Sequence, residues 1–335
     1  MAYKTKKFRS IGIIGSRSVW HIAGLVAFGM AAPLAAQGLA LEAAGKAEEQ
    51  AEAASRLPQV EPGEVPDGSV GGMGDINIYP RRIVMDRRQR VASIGLYNKM
   101  PFEGEYEISV VNMVMADNGQ ITPFSNLPED HDVSRVNTAS DMLRWSPRRV
   151  LLLGSEAQTV RVMARPPADL PDGEYRAHFT VVSVPSDVND GFSIDDAVGA
   201  GNQTGRNVGV TIRPRFGISI PVIVRIGETT LDVGLRDFSL VQGENGPQVA
   251  LTITRSGTRS AYGDLILTAP GQNEPLVVAR GIGIYPEIDA RKLQLAINPE
   301  FDLGKLRTGM TLTATFVDDD VAPGATLARQ NFLVP

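Results

Sequence analysis

The chain has no cysteine among its 335 residues. That excludes a disulfide framework and any thiolate metal site, and its domains must hold by packing. Histidine is almost as scarce: His21, His131 and His178 are the only three. His131 falls in a polar loop, and His178 reads as a partly exposed residue of a strand. No nucleophile elbow, paired-histidine metal motif or P-loop occurs. Nothing therefore marks an enzyme, and no catalytic residue, metal site or cofactor is read from the sequence. Helical periodicity is missing beyond residue 57. No apolar run reaches the ~20 residues a spanning helix needs.

What is present is 43% apolar residues, with 22 prolines and 34 glycines spread along the chain. This is the composition of an all-β protein with many turns and enough apolar mass for two cores.

The N-terminus reads as a secretory signal peptide over residues 1–36. Lys4, Lys6, Lys7, Arg9 and Arg17 precede an apolar run from about Val19 to Leu34, and Ala35-Ala36-Gln37-Gly38 supplies small residues at the exit. An uncleaved membrane anchor is the rival reading, and this segment would then be the only membrane contact. Without residues 1–36 the chain carries 28 basic against 38 acidic side chains, a net charge of −10. Such a surface disfavours nucleic acid as a partner, because phosphate binding needs clustered Lys and Arg.

Residues 37–74 read as a linker, Ala- and Glu-rich first, then Pro- and Gly-rich. From Ile76, strand-like runs recur every 8–15 residues. They are Ile76 to Met85, Val91 to Asn98, Tyr106 to Met115, Val150 to Leu153, Gln158 to Ala164, Tyr175 to Val184 and a long run over 208–225. That spacing predicts an immunoglobulin-like sandwich over residues 75–226. A second set predicts another over 227–335: Asp237 to Val241, Gln248 to Arg255, Asp264 to Leu267, Leu276 to Ala279, Lys292 to Ile297, Met310 to Val317 and Ala328 to Val334. The boundary is expected near Ile226-Gly227-Glu228. The acidic groups Glu129-Asp130-His131-Asp132 and Asp318-Asp319-Asp320 read as solvated loops, with cation binding through their oxygens as the rarer alternative.

The long run is the most informative segment. Val208, Val210, Ile212, Pro214, Phe216, Ile218 and Ile220 alternate with small or polar residues, so one face is apolar. Thirteen residues at about 3.3 Å each span roughly 40 Å, twice an ordinary strand. Pro214 argues for an edge position. A long one-sided edge strand is an open template for another chain. Ser186 to Arg206, rich in Asp, Asn and Gly, form a long loop leading into it.

The order of motifs resembles the periplasmic pilus-assembly chaperones of the PapD type. The motifs are Ile78-Tyr79-Pro80-Arg81-Arg82-Ile83-Val84, Ser146-Pro147-Arg148-Arg149-Val150, Gln158-Thr159-Val160-Arg161-Val162, Leu170-Pro171-Asp172-Gly173-Glu174-Tyr175-Arg176 and the final Ile220-Pro221-Val222-Ile223-Val224-Arg225. A weaker match covers Ser260 to Leu265 and Gly283 to Glu287. The resemblance implies two immunoglobulin-like domains and a chaperone that caps pilus or fimbrial subunits by donating a β-strand, then delivers them to an outer-membrane usher. The lent side chains would be Val208, Val210, Ile212, Phe216 and Ile218. Five such burials could contribute on the order of 10 kcal/mol before ordering costs.

The resemblance also implies two cations that anchor the subunit's terminal carboxylate. One maps to Arg82, with Arg81 as the rival a one-residue slip would select. The other, a lysine in the family, falls on Pro221 when Arg225 is aligned; Arg215 and Arg213 share the non-apolar parity and are possible substitutes. A self-capping dimer is open. So is a different class: a cell-envelope structural or adhesion module built of two sandwiches. A pilus subunit is the weakest of these readings.

Overall fold

The computed structural model describes residues 57–335 except Gln59, Met73, 186–191, 194–210, Arg213, Pro214, Asn245 and Pro335; of 192–193 and 211–212 it describes the backbone. Among the described residues the helical content is three single 3₁₀ turns, and the rest is strand and loop.

The first domain has fourteen strands among the described residues, ten in its sandwich and four in two separate hairpins. They are β1 (Val70–Gly71), β2 (Ile76–Tyr79), β3 (Ile83–Met85), β4 (Val91–Asn98), β5 (Gly104–Val111), β6 (Met113–Met115), β7 (Ile121–Pro123), β8 (Leu143–Ser146), β9 (Arg149–Leu152), β10 (Ala157–Ala164), β11 (Gly173–Val184), β12 (Phe192–Ser193), β13 (Thr211–Ile212) and β14 (Gly217–Ile226). One sheet runs β1-β2-β4-β10-β8 and the facing sheet β3-β14-β11-β5-β9. Period-two alternation turns Ile94 and Leu96, Val160 and Val162, Phe179 and Val181, and Ile220, Val222 and Val224 inward. All are 0–1% exposed and lie in one core.

The run Ile76 to Met85 is two strands, not one. Pro80 lacks an N–H for the ladder, and beyond it the chain leaves the first sheet at Tyr79 and joins the second at Ile83. The linker also ends earlier than residue 74. Pro66 is buried, Val70 and Gly71 pair with Ile78 and Asn77, and Tyr97 Oη donates to Pro58 O at 3.5 Å. Backbone pairing along an edge needs no apolar pattern, so the sequence gives no sign of it.

The second sandwich comprises β15 (Leu231–Gly243), β16 (Gly246–Gly257), β17 (Ala261–Thr268), β18 (Val277–Ile284), β19 (Ala290–Ala296), β20 (Thr311–Asp318) and β21 (Thr326–Leu333). The sheets are β15-β16-β19 and β18-β17-β20-β21. Ile253, Leu276, Ile284, Leu312 and Phe316 are fully buried between them. β15 starts six residues before the expected Asp237, which sits at φ +58 in a bulge between Arg236 and Ser239 that interrupts the alternation. The chain passes from β14 to β15 through Gly227 at φ +61, where a Cβ would fall 2.0 Å from the Asp172 carboxyl group. Only glycine fits that corner.

A hairpin of the first sandwich makes one set of contacts with the second. β6 and β7 pair, and their turn reaches β19: Lys292 N donates to Asp117 O at 2.7 Å, and Lys292 Nζ lies 2.7 Å from Asp117 Oδ2. Met115, Ile223, Tyr262 and Tyr285 form a separate apolar cluster. Its members come from both sandwiches.

Candidate functional site

Of the long alternating run, Val208 and Val210 lie outside the described residues. Ile212 is described in its backbone only, paired with Phe192. Arg215 and Phe216 follow as extended chain. Phe216 is 39% exposed and exchanges bonds with Ser183: its N–H donates to Ser183 Oγ at 2.9 Å, and its carbonyl accepts from Ser183 N at 2.8 Å. Ile218 differs from Phe216. It is 9% exposed and belongs to the first core, as do Ile220, Val222, Val224 and Ile226 above it.

The two margins of β14 are unequal. Along one, all ten residues from Gly217 to Ile226 face β11, Gly217 opposite Val182 and Ile226 opposite Gly173. Along the other, β3 pairs in parallel with Val222, Ile223 and Val224 only. Among the described residues no strand pairs with Gly217–Pro221 on that second margin. Gly72 and Gly74 lie against it without pairing, where a Cβ would meet Ile218 at 3.9 Å and Phe216 at 3.0 Å.

The far end of β14 enters a charged layer between the sandwiches. Arg225 Nε donates to Glu174 Oε2 at 3.1 Å, and its other two nitrogens grip both oxygens of Asp320, one at 3.3 Å. Burial depresses the Arg225 guanidinium, but the bond to Asp320 and the charge of Glu174 outweigh it and raise its pKa. Ser260 donates to the other oxygen of Glu174. Arg259 lies 3.8 Å from Asp320. The triplet Asp318-Asp319-Asp320 is thus not a solvated loop. Asp318 is 3% exposed, and the cations at the turn are arginines of the protein itself.

Arg82 sits in this layer. Its Nη2 donates to Asp319 O at 2.9 Å and to Asp319 Oδ1 at 3.1 Å, and its guanidinium stacks 4.1 Å from the centre of the Tyr262 ring. Arg81 is exposed, with Nη1 beside the position a Cβ on Gly281 would take. Arg215 is elsewhere: exposed near the start of β14, it donates to Glu107 Oε2 at 3.1 Å and Ser183 O at 3.3 Å. Seven residues separate it from Val222, roughly 23 Å of strand, so the structure does not bring it to Arg82. Pro221 stands opposite His178 in the ladder. His178 is 1% exposed rather than partly exposed, and burial, then the Arg176 charge, lower its pKa to about 3. It is neutral at ordinary pH and supplies no second cation.

A second polar bridge was not legible in the sequence. Arg176 and Glu287, 111 residues apart, form a bidentate pair at 2.6 and 3.2 Å, with both side chains under 5% exposed. Arg176 also donates to Met113 O, Glu287 accepts from Met115 N at 2.9 Å, and the Tyr285 ring lies 3.5 Å from the guanidinium carbon. No local pattern announces charges that meet across such a separation. Among the described residues no group of three or more His, Cys, Asp or Glu is placed to hold a metal ion.

No protein-family model matches the chain, and no curated protein sequence does. Solved structures do match. The YadV chaperone is 14% identical with a TM-score of 0.39, over 78% of this chain and 100% of its own. The CsuC–CsuE chaperone–tip adhesion subunit pre-assembly complex, from the archaic chaperone–usher Csu pili of Acinetobacter baumannii, is 12% identical at 0.39, over 78% and 98%. The Salmonella enterica SafA pilin in complex with the SafB chaperone is 12% identical at 0.37, over 79% and 99%.

Proposed function

We propose that this protein is a periplasmic chaperone that captures pilus or fimbrial subunits by lending them a β-strand and delivers them to an outer-membrane usher. The observation that carries the reading is the margin of β14 at Gly217–Pro221, with which no strand pairs among the described residues, on a strand that an alternating apolar run precedes in sequence. An unpaired strand margin is an open template for another chain's backbone.

The burial of Ile218 narrows the lent set. Ile218 and the alternating residues beyond it serve the home core, which leaves Val208, Val210, Ile212 and Phe216 for the guest. Main-chain pairing supplies affinity, and the alternating side chains fix register. Arg82 is the anchor for the guest's terminal carboxylate. Arg81 flanks it as the exposed alternative, and Arg215 is engaged by Glu107. The same margin would serve a self-capping dimer.

The test is co-expression in the periplasm with secreted pilus-subunit proteins of the same source, followed by co-purification. Ile212→Asp with Phe216→Asp should abolish capture while leaving the thermal transition of the free protein in place. Undiminished capture refutes the strand-lending role.

A further inference from the structure

The three neighbouring aspartates of the β20–β21 turn have separate tasks. Asp318 shapes the turn, its carboxylate accepting from the N–H of Asp320 at 2.8 Å and of Ala322 at 3.0 Å. Asp320 is the fork partner of Arg225, with its side chain 5% exposed, and it stands farther from Arg82 Nη2 than Asp319 does, at 3.8 Å against 3.1 Å. The carboxylate of Asp319 has one partner among the described residues, Arg82, and at 23% exposed it is the more accessible member of the pair. The backbone of Asp319 is held independently, by its N–H to Tyr262 O at 3.2 Å. Its side chain therefore does nothing for the turn except occupy Arg82.

Asp319 also shows what Arg82 is built to hold. A carboxylate oxygen and a carbonyl oxygen converge on one guanidinium nitrogen, over an aromatic face that keeps the group in place. Guanidinium has five N–H donors, and the bonds here use a single nitrogen. Beside it lies an open cleft of about 210 Å³ lined by Tyr79, Pro80, Ile83, Val84 and Arg82 itself. An incoming carboxylate has room to approach Arg82 there, and to take over the nitrogen Asp319 holds it must displace Asp319.

We infer that Asp319 is a built-in competitor for Arg82, holding the anchor in the free protein and giving it up to the terminal carboxylate of a captured chain. The inference rests on the proposed strand-lending function and concerns regulation of that same site. Exchange of one charge-assisted bond for another is nearly balanced. An incoming carboxylate alone gains little and does not stay. A chain that also accepts the lent strand gains the apolar burial needed to complete the exchange, so stray C-termini are refused while groove-bearing subunits are kept.

The probe is N-acetylglycine, with N-acetylglycinamide as its uncharged control, titrated into the ¹⁵N-labelled full-length mature protein while following the Arg82 Nε–Hε signal. Asp319→Asn and Asp319→Ala should each bind N-acetylglycine roughly three- to tenfold more tightly than the unaltered protein. The amide should bind none of them, and Arg82→Ala should erase the gain. Equal affinity in all three proteins overturns the inference, as does a gain shared by the amide or one that survives Arg82→Ala. Capture that withstands Ile212→Asp with Phe216→Asp refutes the strand-lending reading separately, and the titration still decides whether Asp319 competes with a free carboxylate.

Discussion

Glu287→Ala is the most discriminating perturbation of the bridge between the sandwiches. It would leave Arg176, 3% exposed, with one carbonyl and one aromatic face in place of a bidentate carboxylate. It would also strip the Met115 N–H of its acceptor. An ion pair at the surface is worth about 0–1 kcal/mol. Stranding one charge of a buried pair costs about 3–5 kcal/mol, because the survivor stays desolvated and uncompensated. For folding units of this size each kcal/mol lowers the melting temperature by about 2–4 °C, so the expected fall is roughly 6–20 °C. Removing both charges is a different matter. Arg176→Met with Glu287→Leu should lie within about 2 kcal/mol of the unaltered protein, since well-packed apolar residues often match a buried pair. Calorimetry and urea unfolding read both variants. A loss under about 1 kcal/mol for Glu287→Ala refutes the assignment of a desolvated bridge. So does a double variant as unstable as the single one.

His178 sets an acid limit. Its pKa falls from the ordinary 6.5 to about 3 through burial and the Arg176 charge, so the unfolded chain binds the extra proton between those values. The stability His178 allows is complete above about pH 6.5 and drains as pH falls toward 3, by about 1.4 kcal/mol per unit. Unfolding free energies from urea titrations at pH 6 and 4.5 should separate by about 2 kcal/mol more in the unaltered protein than in His178→Phe; equal separations contradict it. Tyr175 closes a corner of the first sandwich by donating to Pro171 O at 3.0 Å. Tyr175→Phe should cost about 0.5–1.5 kcal/mol in thermal unfolding, and no loss would show that bond to be idle.

Strand content was legible because alternation is local. Val91 to Asn98 is β4 as read, and Tyr175 to Val184 is β11 but for two residues at its start. What escaped notice was governed by partners far along the chain or by backbone alone. Leu143–Ser146 is too short to display a period, yet it forms the edge of the first sheet. The run Tyr106 to Met115 breaks at Asn112, which separates a core strand from the hairpin that reaches β19. The site divides in the same way. Phe216 and Arg82 carry a local signature, an alternating strand and a motif. The acids that engage Arg82 and Arg225 lie 51 residues and more from them in sequence, where nothing nearby betrays their use.

If β14 is lent as proposed, its rooted half makes the loan one-way for the lender. Ile220, Val222, Val224 and Ile226 are 0–1% exposed, so pulling the strand back would uncover on the order of 6–12 kcal/mol of apolar burial, comparable to the whole stability of a domain. A guest paired along the free half cannot be dismissed by retraction. On that reading release would have to come from a change in the guest, because the lender's strand is held in its own core.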